Sequence, residues 1–317
     1  MPSWRSAARS SGGDEMTEIK SVVVVGAGAM GSQIGMVCAL AGYAATITDI
    51  ARDALDRAEA QLRQRMSRDV EKNRRTDAQV EEAFGRLTFS TDLTTAAAQA
   101  DFIIEAAVEK LEIKRRLFAD LDRVAPPHAI LATNSSNIVS SRIADATGRP
   151  DRVCNLHFFN PALMMKCVEV VRGPQTSDET VTTAVEFARR LGKVPVLLDR
   201  EIPGFIANRI LGAVRDEAIF LLENGIASVE DIDTACRTAL GYPMGPFELM
   251  DLTGIDIGYL TKQDRYAESG DPKDQPSKSV SALVERGELG RKTGRGWYDY
   301  DKAGSKTPRP TEQVRTS

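Results

Sequence analysis

Val22-Val23-Val24-Val25-Gly26-Ala27-Gly28-Ala29-Met30-Gly31 decides how this chain folds. Four β-branched residues in a row read as a strand buried on both faces. The glycines follow at G-x-G-x-x-G spacing, directly before a helical stretch (29–40) rich in small residues. Gly26 permits the tight turn, Gly28 lets the backbone approach a pyrophosphate, and Gly31 allows close helix–strand packing; Met30 lies in the same contact segment. Free N–H groups and the positive end of the helix then hold phosphate. A second strand, 43–48, ends in Asp49, 18 residues past Gly31, where a ribose-binding acid belongs. A carboxylate there accepts hydrogen bonds from a 2′-hydroxyl and repels a 2′-phosphate, so NAD is expected over NADP, although Arg52 lies close enough to weaken that preference. FAD would use the same fingerprint. The bland alternative is a glycine turn that binds nothing, with Asp49 as a helix cap.

Outward from this turn, further β-branched runs occur at 20–25, 44–48, 86–89, 101–105, 129–133, 153–158, 167–171 and 194–198. Helical segments rich in Ala, Leu, Arg and Glu separate the early ones. Such alternation predicts βαβ units and an α/β, Rossmann-type doubly wound sheet. From Val153 onward the runs are too close for full crossovers, so some of these strands should be antiparallel or extend the sheet as an edge. Near 200–204 the pattern changes. Apolar residues from Phe205 to Leu222 recur at helical spacing, Pro203 suits a first helical turn, Ser228 and Asp231 suit an N-terminal cap, and Gly225 and Gly241 suit helix stops. No strand is evident beyond this point. The expected organisation is a disordered extension (1–18), a NAD-binding Rossmann domain (19–201), a smaller all-α substrate and dimerisation domain (202–302) and a disordered tail (303–317). The apolar helix faces of the second domain exceed what one small bundle buries, which points to a homodimer through it.

Composition narrows the class. The 317 residues carry a net charge of −4 and are 42% hydrophobic, enough for two domains and no argument for a nucleic-acid partner. No apolar run approaches the roughly 20 residues of a membrane span. The segment before the first strand has Arg5, Arg9 and a Ser/Gly cluster but no hydrophobic core, unlike a secretory signal. The four cysteines, Cys38, Cys154, Cys167 and Cys236, are scattered without a C-x-x-C pair, which favours buried thiols over a metal or redox site. A cytoplasmic protein without membrane contact or bound metal is the expectation.

A nicotinamide enzyme needs a group that moves a proton while a hydride moves. Of the two histidines, His128 follows Pro126-Pro127 in a loop and reads as surface. His157 ends the apolar run Val153-Cys154-Asn155-Leu156-His157-Phe158-Phe159-Asn160-Pro161. A lone histidine there is more often a satisfied core residue. Glu169, flanked by Val168 and Val170, shifts the balance, because a carboxylate on an apolar strand is costly to bury unless paired. If the strand returns beside His157, Glu169 accepts from one ring nitrogen and raises the basicity of the other. The alternative is a buried pair that only holds two strands together.

Several strings together resemble the L-3-hydroxyacyl-CoA dehydrogenases, close to the 3-hydroxybutyryl-CoA dehydrogenases. They are the Gly26–Gly31 turn, Ala132-Thr133-Asn134-Ser135-Ser136, His157-Phe158-Phe159-Asn160-Pro161, Lys166 with Val168-Glu169-Val170, Pro203-Gly204-Phe205 with Asn208-Arg209, and Gly241-Tyr242-Pro243-Met244-Gly245-Pro246-Phe247-Glu248-Leu249. The resemblance implies an acyl-CoA substrate, with His157 exchanging the 3-hydroxyl proton and Glu169 orienting it. Ser136 would bond the reacting oxygen or the nicotinamide, and Asn208 would help hold the 3-oxygen. Asp49, Glu109, Lys114, Asn134 and Asn160 match cofactor-contacting positions, as does Lys292 more loosely, and Lys72 matches a basic position near the CoA end. The bland readings are caps for Asn134 and Ser136 and solvated charges for Glu109, Lys114 and Lys72. Ser135-Ser136-Asn137 stands where the family commonly has Thr-Ser-Ser. The competing functions are a hydroxyacid or sugar-acid dehydrogenase without CoA, and a non-catalytic dinucleotide-binding protein.

Overall fold

The computed structural model describes residues 18–314, so the extension before Glu18 and positions 315–317 lie outside the described residues. The chain divides into two compact units after Ile206. The first contains β1 (Ser21–Val25), α1 (Ala29–Leu40), β2 (Ala44–Thr48), α2 (Arg52–Glu71), α3 (Asp77–Gly85), β3 (Leu87–Ser90), α4 (Leu93–Ala97), β4 (Phe102–Glu105), α5 (Leu111–Val124), β5 (Ile130–Thr133), α6 (Ser141–Ala144), β6 (Val153–Phe158), β7 (Cys167–Val171), α7 (Asp178–Arg190) and β8 (Val194–Leu198). All eight expected runs are strands of one sheet, ordered β3-β2-β1-β4-β5-β6-β7-β8. Every neighbouring pair is parallel except β6 and β7, which the short connection 159–166 makes antiparallel.

Alternation along β1 feeds both faces of this sheet. Val22 and Val24 join a core with Ile34, Met36, Leu55, Leu62 and Phe187, while Val23 and Val25 join another with Ile103, Phe118, Leu121 and Leu131. Small residues bring α1 close to the sheet: a Cβ on Gly35 would stand 2.5 Å from the Ile47 side chain. On α2, Leu55, Ala58, Leu62 and Met66 bury one stripe at helical spacing.

The expected helix start at Pro203 is not observed. Residues 203–206 form a turn, and the helix begins at Ala207. Gly204 (φ 79°) and Phe205 (φ 50°) are both left-handed. The Phe205 ring is buried against Val139, Val171 and Leu198, so this segment belongs to the first unit and moves the boundary past 201. Burying an aromatic ring is worth about 1.5–3 kcal/mol, comparable to the roughly 1–3 kcal/mol of a left-handed non-glycine residue.

The second unit contains α8 (Ala207–Glu223), α9 (Val229–Ala239), α10 (Pro246–Thr253), α11 (Ile255–Ser269) and α12 (Lys278–Glu285) around Leu222, Ile232, Phe247, Leu283 and Trp297. Gly225 and Gly241 have positive φ at helix ends, and the Ser228 side chain accepts from Asp231 N–H, as expected. Two buried acids organise the unit. Asp233 accepts from the N–H groups of Phe247 and Glu248 and from the Tyr298 hydroxyl. Asp251 accepts from Trp297 N–H, Tyr298 N–H and the Tyr300 hydroxyl, and burial pushes its carboxyl up to about 6. A Cβ on Gly245 would collide with Asp233, and one on Gly296 with Asp251, which explains glycine at these two positions.

Two expectations fail here. The unit is helical but not all-helical, because β9 (Tyr298–Tyr300) pairs antiparallel with β10 (Lys306–Pro308). Nor is the tail disordered throughout: after β10, Arg309 is buried, bonding Glu288 at 3.0 Å and the Gly296 carbonyl at 2.5 Å, before a last turn α13 (Thr311–Val314). A polar, proline-containing segment gave no apolar signal, yet one arginine with fixed acceptors anchors it. Arg309→Ala should lower unfolding free energy by about 3 kcal/mol, as for a broken buried ion pair, seen as a reduced denaturant midpoint. A midpoint equal to the parent's would show that this strand does not dock.

Candidate active site

Residues after β1, β2 and β4 enclose a groove of about 820 Å³ in the first unit, lined among others by Gly26, Gly28, Asp49, Ile50, Val108 and Ile113. Gly28 is the N-cap of α1, with no side-chain cap and no acidic residue in the first turn, so the helix start is left for an anion. The glycines differ in why they are required. Gly26 has φ 105°, and a Cβ there would stand 2.6 Å from the Ala106 carbonyl oxygen; a Cβ on Gly31 would run into the Gly26 carbonyl. At Gly28 the backbone is ordinary (φ −68°) and a Cβ would meet nothing within 4 Å, so the fold does not demand glycine. Glycine there instead suits the close approach of a phosphate to the backbone. Met30 packs against the core rather than lining the groove.

Asp49 Oδ2 accepts from Ala27 N–H at 2.8 Å and Oδ1 from Ala51 N–H at 3.0 Å, which pins the carboxylate in the groove wall. A carboxylate has about four acceptor sites, so two remain for ribose hydroxyls. Ile50 is 99% exposed, and Val108 and Ile113 are exposed beside it. Apolar side chains left in water at a groove suit a flat ring such as adenine. Arg52 is not among the lining residues, whereas Arg57 is.

A buried ionic network ties the loop after β4 to the loop after β5. Lys114 is wholly buried, with its ammonium 2.5 Å from Glu105 and 3.2 Å from Glu109. Glu105 also accepts from Ala107 N–H and the Thr133 hydroxyl, and Glu109 bonds Ser135. Ser135 in turn accepts from Ile138 N–H at 2.8 Å. The Lys114 ammonium, expected at the cofactor, is thus paired with two carboxylates in this structure. Glu109 is partly exposed and stays available.

The register of β6 and β7 sets His157 opposite Glu169. Both side chains are buried, and Nδ1 lies 2.8 Å from Glu169 Oε2. The other carboxylate oxygen accepts from Ile206 N–H at 3.0 Å. The Phe159 and Phe205 rings lie 4.5 and 5.5 Å from the imidazole by centroid. Nε2 bonds to none of the described residues and is not among the buried unsatisfied atoms. The arrangement leaves one nitrogen fixed to a carboxylate and the other open for proton exchange.

Asn134, expected at the cofactor, accepts through Oδ1 from Phe158 N–H, and Ser136 is half-buried with its carbonyl bonded to Gly204 N–H. Asn160 is exposed in the connection after β6. His128 pairs with Asp101 at the surface. Lys72 is the exposed C-cap of α2. Asn208 and Lys292 belong to the second unit, Asn208 as the second residue of α8 and Lys292 with both Asp256 carboxylate oxygens at 2.6 Å. Cys38 and Cys154 are buried, which raises both thiols far above their ordinary value, and the described residues hold no His/Cys/Asp/Glu cluster able to bind a metal. Sequence reasoning missed Glu105, Asn155 and the exposed Ile50. Glu105 had a signal of the Glu169 kind, a carboxylate closing the run Phe102-Ile103-Ile104.

Residues 21–202 match the model for the 3-hydroxyacyl-CoA dehydrogenase NAD-binding domain, and residues 204–300 match its C-terminal domain. The chain is 39% identical over 285 residues to a probable 3-hydroxybutyryl-CoA dehydrogenase of Bacillus subtilis, covering 90% of this chain and 99% of that protein. It is 41% identical over 288 residues to the mitochondrial hydroxyacyl-coenzyme A dehydrogenase of Rattus norvegicus, covering 89% and 91%. Among solved structures, (S)-3-hydroxybutyryl-CoA dehydrogenase PaaH1 from Ralstonia eutropha superposes with a TM-score of 0.83 at 36% identity, covering 90% and 100%.

The contrast between glycines is directly measurable. Gly28→Ala should keep the parent's melting temperature while weakening NADH binding about tenfold, roughly the 1.4 kcal/mol expected when a methyl group intrudes on one phosphate contact. Gly31→Ala should instead lower the melting temperature. Equal NADH affinity in Gly28→Ala and the parent would remove the pyrophosphate from this turn.

Proposed function

The chain belongs to the 3-hydroxyacyl-CoA dehydrogenase family, an NAD-dependent one, and from that premise we propose how its residues interconvert a short L-3-hydroxyacyl-CoA and the matching 3-oxoacyl-CoA. The balance is L-3-hydroxyacyl-CoA + NAD⁺ ⇌ 3-oxoacyl-CoA + NADH + H⁺. The observation that carries the proposal is the 2.8 Å contact between His157 Nδ1 and Glu169, with Nε2 uncommitted. Bound NAD⁺ supplies the hydride acceptor. Nε2 of His157 takes the 3-hydroxyl proton as the hydride leaves C3 and returns it in reduction. Glu169 holds the ring in one tautomer and stabilises the imidazolium. Ser136 and Asn208 donate to the 3-oxygen, and Glu109, Asn134 and Asn160 orient the nicotinamide half. Lys292 is a weaker candidate for that half, given its pairing with Asp256. Lys72 meets the phosphates of CoA.

A short acyl chain is favoured by relatives named for 3-hydroxybutyryl-CoA. Free, unpaired cysteines suit a reducing cytoplasmic setting, and no helix among the described residues is long and apolar enough to cross a membrane. Exposed Ile210, Phe220, Ile226, Leu252, Ile257 and Leu260 on the second unit support a homodimer through that unit. Sedimentation velocity should find twice the 34.5 kDa chain mass, and a monomer at micromolar concentration removes this part of the reading.

His157→Gln should bind NADH like the parent and lose about 10²–10⁴-fold in turnover with acetoacetyl-CoA. A parent-like rate would exclude His157 as proton carrier. Glu169→Gln should also slow turnover, whereas a variant that only melts earlier would reduce the pair to a strand clamp. Asp49→Ala should bind NADH more weakly and discriminate less against NADPH. An unchanged NADH/NADPH ratio means that Asp49 does not read the ribose.

A further inference from the structure

We propose that Asn155 is a positioning residue for the reaction, acting through the loop that carries Ser136; this rests on the role given to Ser136 above. Asn155 lies two residues before His157 on β6, on the same face of the strand, and is wholly buried. Its amide is spent on one loop. Oδ1 accepts from Ser140 N–H at 2.7 Å, while Nδ2 donates to the carbonyls of Ile138 at 3.0 Å and Ser135 at 3.3 Å. The start of that loop is fastened to the same strand, since Asn134 Oδ1 accepts from Phe158 N–H at 2.9 Å.

Residues 134–140 connect β5 to the short α6 without regular structure, so their backbone groups lack a ladder to bond. β6 supplies the missing partners at both ends of the loop. Ser136 is thereby held at a fixed height relative to the strand that presents His157. Asparagine suits the task because the loop offers one N–H and two carbonyls, and only an amide side chain both accepts and donates twice. Leucine would leave all three groups buried without that partner, and aspartate would set its second oxygen against two carbonyls.

The experiment is a double-mutant cycle on the full-length enzyme with acetoacetyl-CoA and NADH. Asn155→Ala should lower kcat roughly 10- to 100-fold, the loss expected from a displacement of about 1 Å, with NADH affinity unchanged. In a Ser136→Ala background the same substitution should add less than about a threefold loss, because the group it positions is gone. Multiplying losses with a slow Ser136→Ala single variant would overturn the proposal and leave Asn155 as packing alone. A Ser136→Ala variant with parent turnover would instead overturn the Ser136 role, and this inference with it. Should Asn155→Ala fail to fold, Asn155→Asp decides. Its kcat relative to the parent should rise as pH is lowered, since protonation restores a donor toward the loop carbonyls; a flat ratio overturns the proposal.

Discussion

The carboxylate of Glu169 sits on an interior strand, flanked by valines, where an unpaired charge would be destabilising by several kcal/mol. That penalty is met on two sides, by the His157 imidazole and by Ile206 N–H. Much of the first unit is arranged so that this can happen. β6 and β7 must be antiparallel neighbours in this register, and the chain leaving β8 must turn back at 203–206 before the first helix of the second unit. A parallel β6–β7 pair would need a long crossover and would not set these two residues face to face through a short connection. Phe205, held at positive φ with its ring beside the imidazole, keeps the turn in place.

A second buried pair, Glu105 with Lys114, does comparable work at the end of β4. Through Glu109 and Ser135 it joins the wall of the dinucleotide groove to the loop beside His157. Networks of this kind stabilise only when each member is satisfied, and here the carboxylates have backbone N–H and hydroxyl donors in addition to the ammonium. The dinucleotide groove and His157 are thus positioned by separate ionic centres linked across two adjacent loops.

Most of the fold was legible because its signals are strong and local. β-branched runs marked every strand of the main sheet, the glycine spacing marked the turn after β1, and one carboxylate in an apolar stretch marked the partner of His157. What escaped detection depends on contacts distant in sequence. Pro203-Gly204-Phe205 has helical spacing toward Leu222, yet the ring of Phe205 prefers the core of the first unit. β10 is too short and polar to declare itself, and its partners, β9 and the acceptors of Arg309, lie elsewhere in the chain. Lys114 read as a cofactor-contacting position, with a solvated charge as the alternative, and nothing local says that its ammonium turns inward onto Glu105. Asn155 was quoted within the run around His157 but carried no signal, since its meaning lies in a loop fifteen residues earlier.

The antiparallel step between β6 and β7 has an evolutionary corollary. Because β6 runs parallel to β5, its connection to β7 emerges at the same sheet edge as the ends of β1, β4 and β5. That connection carries Asn160 and the exposed, adaptable side chains of Met164 and Met165. Side-chain replacements at Met164 and Met165 leave the pairing of His157 with Glu169 untouched, because that pair is locked inside the ladder. Those two exposed positions can therefore change with the shape of what they meet while the imidazole–carboxylate contact stays fixed.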